Sequence, residues 1–176
     1  MNLWHDIPLG DKVPQEFNVV IEVPKGSQNK YELDKETGLI CLDRANYSAA
    51  AYPCEYGFAP QTYAEDGDAI DVLVLATFPI YPGVLVCVRP VAYMEMVDTG
   101  EQDAKIICVP VKDKRWENVK DLGDINPHTL KEIQHFFETY KELKGDKVTI
   151  PGFKPRADAV AALAASVSAY KQKFGK

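Results

Sequence analysis

Between Arg44 and Arg89 the chain carries neither lysine nor arginine. Basic residues are in the minority overall, with 20 Lys and Arg against 26 Asp and Glu and a net charge of −6. Nucleic acids and acidic membranes are bound through a concentrated basic face, so neither is an expected partner. Cysteine is sparse: Cys41, Cys54, Cys87 and Cys108 form no CxxC pair and have no histidine-rich motif beside them. Neither a zinc site nor a disulfide framework is expected, and buried free thiols in a reducing compartment fit better. There is no Gly-rich phosphate loop. None of the three histidines, His5, His128 and His135, stands beside an obvious serine or cysteine nucleophile, which removes an acyl-transfer triad. No apolar run is long enough to cross a membrane. The opening MNLWHDIPLG lacks the basic segment and apolar stretch of a secretory signal, so a cytoplasmic location is the expectation.

What is present suits one compact domain over residues 1–176. Apolar residues make up 46% of the chain, and 9 Tyr, 7 Phe and 2 Trp argue against disorder. The first two thirds read as strands and turns. FNVVIEV at 17–23 alternates, with Phe17, Val19, Ile21 and Val23 on one face and Glu22 on the other. KYELD at 30–34 and LICLDR at 39–44 flank DKETG, a hairpin loop whose Gly38 supplies a positive φ. VLVLA at 72–76, VLVCV at 84–88 and KIICVPV at 105–111 are short, apolar and β-rich, as buried strands are. The last third changes period. Asn126 and Pro127 open a helix with Leu130, Ile133, Phe137, Tyr140 and Leu143 on one face, expected over 127–143. Pro155 opens a second, with Val160, Leu163, Val167, Tyr170 and Phe174 as its stripe. Strands followed by two helices predict an α+β fold, with a closed or nearly closed antiparallel sheet and the helices packed outside.

The basic-free stretch holds EDGDAIDVLV, in which Asp66, Asp68 and Asp71 precede an apolar strand. Carboxylates this close repel one another unless cations intervene, and hard divalent ions are the simplest intervening species. A calcium loop does not fit: counted from Asp66, the sixth position is Asp71 and the twelfth Thr77, where glycine and glutamate are required. Alone, such a turn is more often merely solvated. A second acidic loop, VDTGEQDAK, places Asp98, Glu101 and Asp103 ahead of another apolar strand that begins at Lys105. Two loops entering neighbouring strands would meet at one end of a sheet; the same residues also read as two independent turns. Lys30, Arg44 and the Tyr140–Lys141 pair are candidate anion ligands, and Tyr52 and Tyr56 sit in the irregular AYPCEYGF. Carboxylates with a few cations and phenols suit metal-assisted phosphoryl transfer to water. The rivals are an OB-type module for single-stranded nucleic acid, which the acidic balance disfavours, and a hydrolase of nucleotides or organic phosphates.

The ordered stretches IEVPKGSQNKYELDKETG, LDR, YPCEYGF, EDGDAIDVLV, DTGEQDAK and HFFETYKEL resemble the soluble, Mg²⁺-dependent family I inorganic pyrophosphatases along nearly the whole chain. The family pattern is D-x-D-P-x-D followed by an apolar residue. The resemblance implies a five-stranded OB-type β-barrel with flanking helices, and hydrolysis of pyrophosphate to two orthophosphates. It assigns Asp66, Asp71 and Asp103 to the tightest metal and Asp98 to a further ion. Asp68 would take the proton from a water lying between two metals. Lys30, Arg44, Tyr56, Tyr140 and Lys141 would bind phosphate oxygens. Lys105, Glu22, Glu32 and Tyr52 match supporting positions, Lys105 on the substrate side. Mg²⁺ is the implied cofactor, with Mn²⁺ or Zn²⁺ as substitutes, and a homo-hexamer of two trimers is the implied assembly. Two departures stand out: Ala69 replaces the family's usual proline, and Thr99 follows Asp98 where some relatives carry a second acid.

Overall fold

The computed structural model describes residues 1–175. Its strands are β1 (Phe17–Val23), β2 (Asn29–Leu33), β3 (Ile40–Ala45), β4 (Glu55–Phe58), β5 (Asp71–Val74), β6 (Leu85–Asp98), β7 (Glu101–Gln102), β8 (Lys105–Pro110) and β9 (Val148–Pro155). Two α-helices, α1 (Pro127–Thr139) and α2 (Arg156–Phe174), complete the chain with three short 3₁₀ turns. Strands β1, β4, β5, β8 and β6 pair in that order, and β6 also pairs with β1, so five strands make a ring. Strands β7 and β9 add to β6, while β2 and β3 form a separate hairpin.

The sheet is mixed rather than antiparallel, because β5 and β8 run parallel in the register Val72–Ile106, Leu73–Ile107, Val74–Cys108. This one parallel pair decides where the chemistry sits. Asp71 and Lys105, the first residues of β5 and β8, emerge at the same end, and so do the acidic loops that feed them.

Strands β5 and β8 read as unbroken apolar runs because both faces are covered. On one face Leu73, Ile107 and Val109 pack with Ile133, Phe136 and Phe137 of α1. On the other, Val72, Val74, Ile106 and Cys108 pack with Ala159 and Leu163 of α2. Helix α1 is capped as expected: Asn126 accepts from the His128 N–H at 2.9 Å and Pro127 takes the first position. It ends at Thr139, four residues short of expectation, and a 3₁₀ turn over Glu142–Lys144 follows. Leu143 is therefore 74% exposed, and Phe136 takes the buried place instead. In α2 the buried side chains are Ala159, Leu163, Ser166 and Tyr170. Val160 and Val167 are only half-buried and Phe174 is exposed, so the core-facing stripe is narrower and smaller than the apolar pattern implied. Cys54 and Cys108 are buried free thiols, but Cys41 is exposed on the hairpin.

Irregularities in the ladder do the shaping. In β6, Pro90 pairs with Cys108 and Ala92 with Ile107, so Val91 is an extra residue. A bulge of this kind bends a strand, and β6 pairs in turn with β1, β8, β9 and β7 along its length. Strand β4 lies tight against β1: a Cβ on Gly57 would stand 2.1 Å from the Val20 carbonyl oxygen. Strand β9 pairs only with β6, and Pro151 tolerates that edge because no ladder donor is needed there.

Candidate active site

The site is built from three pieces: the loop into β5, the β6–β7 turn with the loop into β8, and the β2–β3 hairpin. The first begins as a tight turn. Asp66 Oδ1 accepts from the Asp68 N–H at 3.0 Å, and the Ala64 N–H reaches the Asp68 carbonyl at 2.7 Å. Gly67 takes a φ of 87°, which glycine adopts without penalty. Ala69, where proline was expected, donates its N–H to Asp68 Oδ1 at 2.8 Å, a bond proline lacks the hydrogen to make.

The second piece carries Asp98, Asp103 and Lys105. Lys105 is almost fully buried, and its ammonium lies 2.6 Å from Asp71 Oδ2 and 2.8 Å from Asp103 Oδ1. The Tyr56 hydroxyl donates to the same Asp71 oxygen at 2.6 Å. Burial alone would pull the Lys105 ammonium down, but Asp71 and Asp103 outweigh it and hold it above its ordinary value. Asp103 is raised, by burial first and by Asp71 and Asp98 further on, with Lys105 opposing. Asp66 is raised as well, by burial and then by Asp71 and Asp68, against the Asp68 N–H it accepts from. Asp98 lies below the usual carboxylate range: burial opposes this, but hydrogen bonds from Lys141 and Thr99 prevail. The break after α1 is what frees Lys141 to reach Asp98, while Tyr140 stays buried against Phe136 and Phe137. Thr99 adopts a φ of 51°, rare for a β-branched residue, and its hydroxyl donates to Asp98 Oδ1 at 2.9 Å.

The third piece supplies cations. Lys30 and Arg44 face each other across the β2–β3 ladder, and the next pair is Tyr31 with Leu42, so Asp43 bulges out. Asp43 Oδ2 takes Arg44 at 2.5 Å and lies 3.9 Å from Lys30, which is also paired with Glu32. Burial, then Arg44, lowers the Lys30 ammonium below its ordinary value. A bulge also explains Glu22. The β1–β4 register steps from Ile21–Gly57 to Val23–Tyr56, leaving Glu22 as the extra residue. It is buried rather than turned away, with Oε1 accepting from the Leu33 N–H at 2.7 Å. Burial, with smaller contributions from Asp71 and Asp68, pushes its carboxyl up to about 8 against the pull of that N–H and of Lys30. Tyr52 is buried beside Tyr56 and Phe136, and its hydroxyl has no hydrogen-bond partner.

These pieces converge on a cavity of about 550 Å³ whose wall includes Lys30, Glu32, Tyr56, Asp66, Asp71, Asp98, Asp103 and Lys141. Asp66, Asp71 and Asp103 also border a more apolar cavity of about 650 Å³ beside α2. Arg44, Tyr52, Tyr140 and Lys105 stand behind or beside the first cavity rather than on its wall. Asp68 is outside it too, next to Glu22 in a small cleft and ion-paired to Lys35 at 2.7 Å. Nothing in the sequence marks Asp43 beyond its place in LDR, and nothing marks Lys35 at all, yet the structure pairs them with Lys30, Arg44 and Asp68.

The wall carries seven acids, Glu32, Asp66, Asp71, Asp98, Glu101, Asp103 and Asp146, against Lys30, Lys141 and Lys144. Such a cavity repels anions until cations enter, and its hard oxygen donors are those Mg²⁺ prefers. The donor set therefore fits a divalent ion. No group of three or more His, Cys, Asp or Glu side chains among the described residues is arranged as a ready cage, Asp71 and Asp103 being drawn onto Lys105 instead.

The comparisons with known proteins agree along the chain. The family model described as inorganic pyrophosphatase matches residues 19–171. Soluble inorganic pyrophosphatase 1 of Arabidopsis thaliana is 46% identical over 169 residues, covering 96% of this chain and 80% of the relative. A soluble inorganic pyrophosphatase of Zea mays is 45% identical over 169 residues, covering 96% and 79%. Among solved structures, the inorganic pyrophosphatase of Thermus thermophilus superposes with a TM-score of 0.94 at 47% identity, covering 97% of this chain and 99% of that one. The Helicobacter pylori enzyme gives 0.90 at 39%, covering 94% and 99%. The paired acidic loops and the cation hairpin thus lie within a likeness that spans the whole fold, and the chain belongs to the inorganic pyrophosphatase family.

Proposed function

We propose that this chain hydrolyses inorganic pyrophosphate to two orthophosphates with Mg²⁺ as cofactor, Mn²⁺ and Zn²⁺ being substitutes. The observation that carries the reading is the convergence of two acidic loops and a cation hairpin on one cavity. Asp66, Asp71 and Asp103 would hold the tightest ion and Asp98 a further one. Bound there, the ions supply positive charge and a water acidified toward neutral pH. The chain's own groups do the rest. Asp68 accepts the proton of the attacking water as a general base. Lys30, Arg44 and Lys141 contact phosphate oxygens and stabilise charge on the group transferred and the group leaving. Tyr56 and Tyr140, both held above the ordinary phenol range by burial first, stay neutral and offer O–H donors. Lys105, ion-paired to Asp71 and Asp103, would hold these two ligands and add positive charge on the substrate side. Glu22, Glu32 and Tyr52 line or back the same region.

We further read the five-strand ring as an OB-type barrel, the chain as one domain, and the working form as a cytoplasmic homo-hexamer. The exposed Leu39, Leu42, Phe78, Tyr81 and Leu143 offer apolar surface for such contacts. Among the described residues no helix is long and apolar enough to cross a membrane. The test of function is orthophosphate release from pyrophosphate with Mg²⁺ against an EDTA control. Release only with metal, falling at least about a hundredfold in Asp68→Asn, is the expected result. Absence of release above the control sinks the proposal.

A further inference from the structure

Lys35 lies outside every role above, yet its contacts are specific. It stands at the tip of the β2–β3 hairpin, in a loop closed by Asp34: Oδ1 accepts from the Glu36 N–H at 2.9 Å, Oδ2 from the Thr37 hydroxyl at 2.8 Å, and the Asp34 carbonyl from the Gly38 N–H at 2.8 Å. From that fixed point the Lys35 ammonium reaches Asp68 Oδ2 at 2.7 Å and sits 5.1 Å above the ring of Trp4. The ring is itself immobilised. Trp4 is buried, donates its indole N–H to the Thr62 carbonyl at 2.8 Å, stacks on His5 at 4.5 Å and meets Phe174 edge-on at 5.6 Å. An ammonium over an indole face is attracted by the ring quadrupole, so Trp4 is a seat for Lys35.

The pair also bridges two pieces between which, among the described residues, no other ion pair runs. The hairpin carries Lys30, Glu32 and Arg44 and is not part of the main sheet. Among the described residues, Lys35–Asp68 is the only ion pair between this hairpin and the loop that carries Asp66, Asp68 and Asp71; Lys30 and Arg44 pair within the hairpin. Its two side chains are 49% and 50% exposed, a setting in which an ion pair adds little to stability. Its effect is geometric. Oδ1 of Asp68 is engaged by the Ala69 N–H and Oδ2 by Lys35, and the remaining lone pairs are free for a water.

We propose that Lys35 is a positioning residue for pyrophosphate hydrolysis: seated on Trp4, it fixes Asp68 and sets the spacing between the acidic loop and the phosphate-binding hairpin. The proposal rests on the pyrophosphatase reading. The test compares wild type, Lys35→Met and Lys35→Arg for kcat, KM and thermal midpoint. A second arm follows Trp4 emission in EDTA, with Trp116→Phe as background so that Trp4 is the sole tryptophan. We expect kcat in Lys35→Met to fall about tenfold or more, KM to rise less, and the midpoint to stay close to wild type. Lys35→Arg should recover most of kcat, and Lys35→Met should change Trp4 emission. Wild-type kcat in Lys35→Met, unchanged emission, or a loss that tracks a falling midpoint and is not recovered by Arg would each overturn the proposal. Wild type without orthophosphate release would instead fell the functional reading, and this inference with it.

Discussion

Lys105→Met removes the cation that bridges the two acidic loops. The lysine is 1% exposed, and its ammonium serves Asp71 at 2.6 Å and Asp103 at 2.8 Å, with the Tyr56 and Phe137 rings at 5.3 and 5.8 Å on its flanks. Methionine fills nearly the same volume, so little cavity forms and the loss is electrostatic. Breaking a buried pair from one side costs roughly 3–5 kcal/mol, because the remaining charge is left uncompensated. For a chain of this length each kcal/mol moves the thermal midpoint by about 2–4 °C. Melts in EDTA should therefore show a drop on the order of 10 °C. The sign of its pH dependence follows from Asp103. Without Lys105 its folded-state pKa rises further above the unfolded value, so the folded variant holds a proton that the unfolded chain releases, and the deficit grows as pH climbs through that window. Added Mg²⁺ should raise the variant's midpoint at least as much as wild type's, since ligand that binds only the folded state stabilises it. A variant that melts within about 2 °C of wild type in EDTA would refute the view that the acids at this end are under electrostatic stress.

Other perturbations probe separate parts. Glu22, with its carboxyl raised to about 8, stays protonated in the folded protein from its ordinary 4.5 upward while the unfolded chain ionises. Stability from this group is thus lost as pH rises from 4.5 to 8, by several kcal/mol at most, and is flat outside that window. Glu22→Gln should gain stability relative to wild type across that range in urea melts with EDTA; parallel pH profiles would contradict the assignment. Gly57→Ala drives a Cβ to within 2.1 Å of the Val20 carbonyl oxygen and 2.9 Å of Ile21 Cα. Both are backbone atoms of β1, which is itself paired on to β6, so a loss of about 3 kcal/mol or more is expected by denaturant titration, and a near-neutral result would mean the β1–β4 contact is looser. Lys30→Ala should raise KM for pyrophosphate roughly ten- to hundredfold with a smaller change in kcat, and steady-state kinetics decides it.

The elements with a strong period or a clear cap were legible in the sequence. FNVVIEV, the KYELD–LICLDR hairpin, KIICVPV and the Asn126–Pro127 helix start all stand where the pattern put them. What escaped was punctuated by residues that argue locally against strands. Strand β4 holds Gly57 and follows Pro53, β9 contains Pro151 and Gly152, and β6 runs through Pro90 into a bulge at Val91. Tertiary pairing overrides those signals, and no local pattern reports it. The parallel β5–β8 pair is the same kind of fact, since neither strand's own sequence tells its direction relative to the other. At the site, residue types singled out candidate carboxylates, but not their partners. Lys105 lying between Asp71 and Asp103, Glu22 turned inward by a bulge and Lys35 paired with Asp68 depend on register and backbone irregularity. Local periodicity placed Glu22 on the face away from its apolar neighbours, whereas the extra residue in β1 buries it.

Hydrolysis by this chain requires that carboxylates from two separate loops bind divalent cations as one site. Calorimetric titration of the purified protein with Mg²⁺, repeated with a non-hydrolysable diphosphate analogue present, measures this directly in wild type, Asp71→Asn and Asp103→Asn. Saturable uptake in wild type, strengthened by the analogue and weakened about tenfold or more by either substitution, is the predicted result. Equal heats in all three proteins, or no specific uptake even with the analogue, would contradict it.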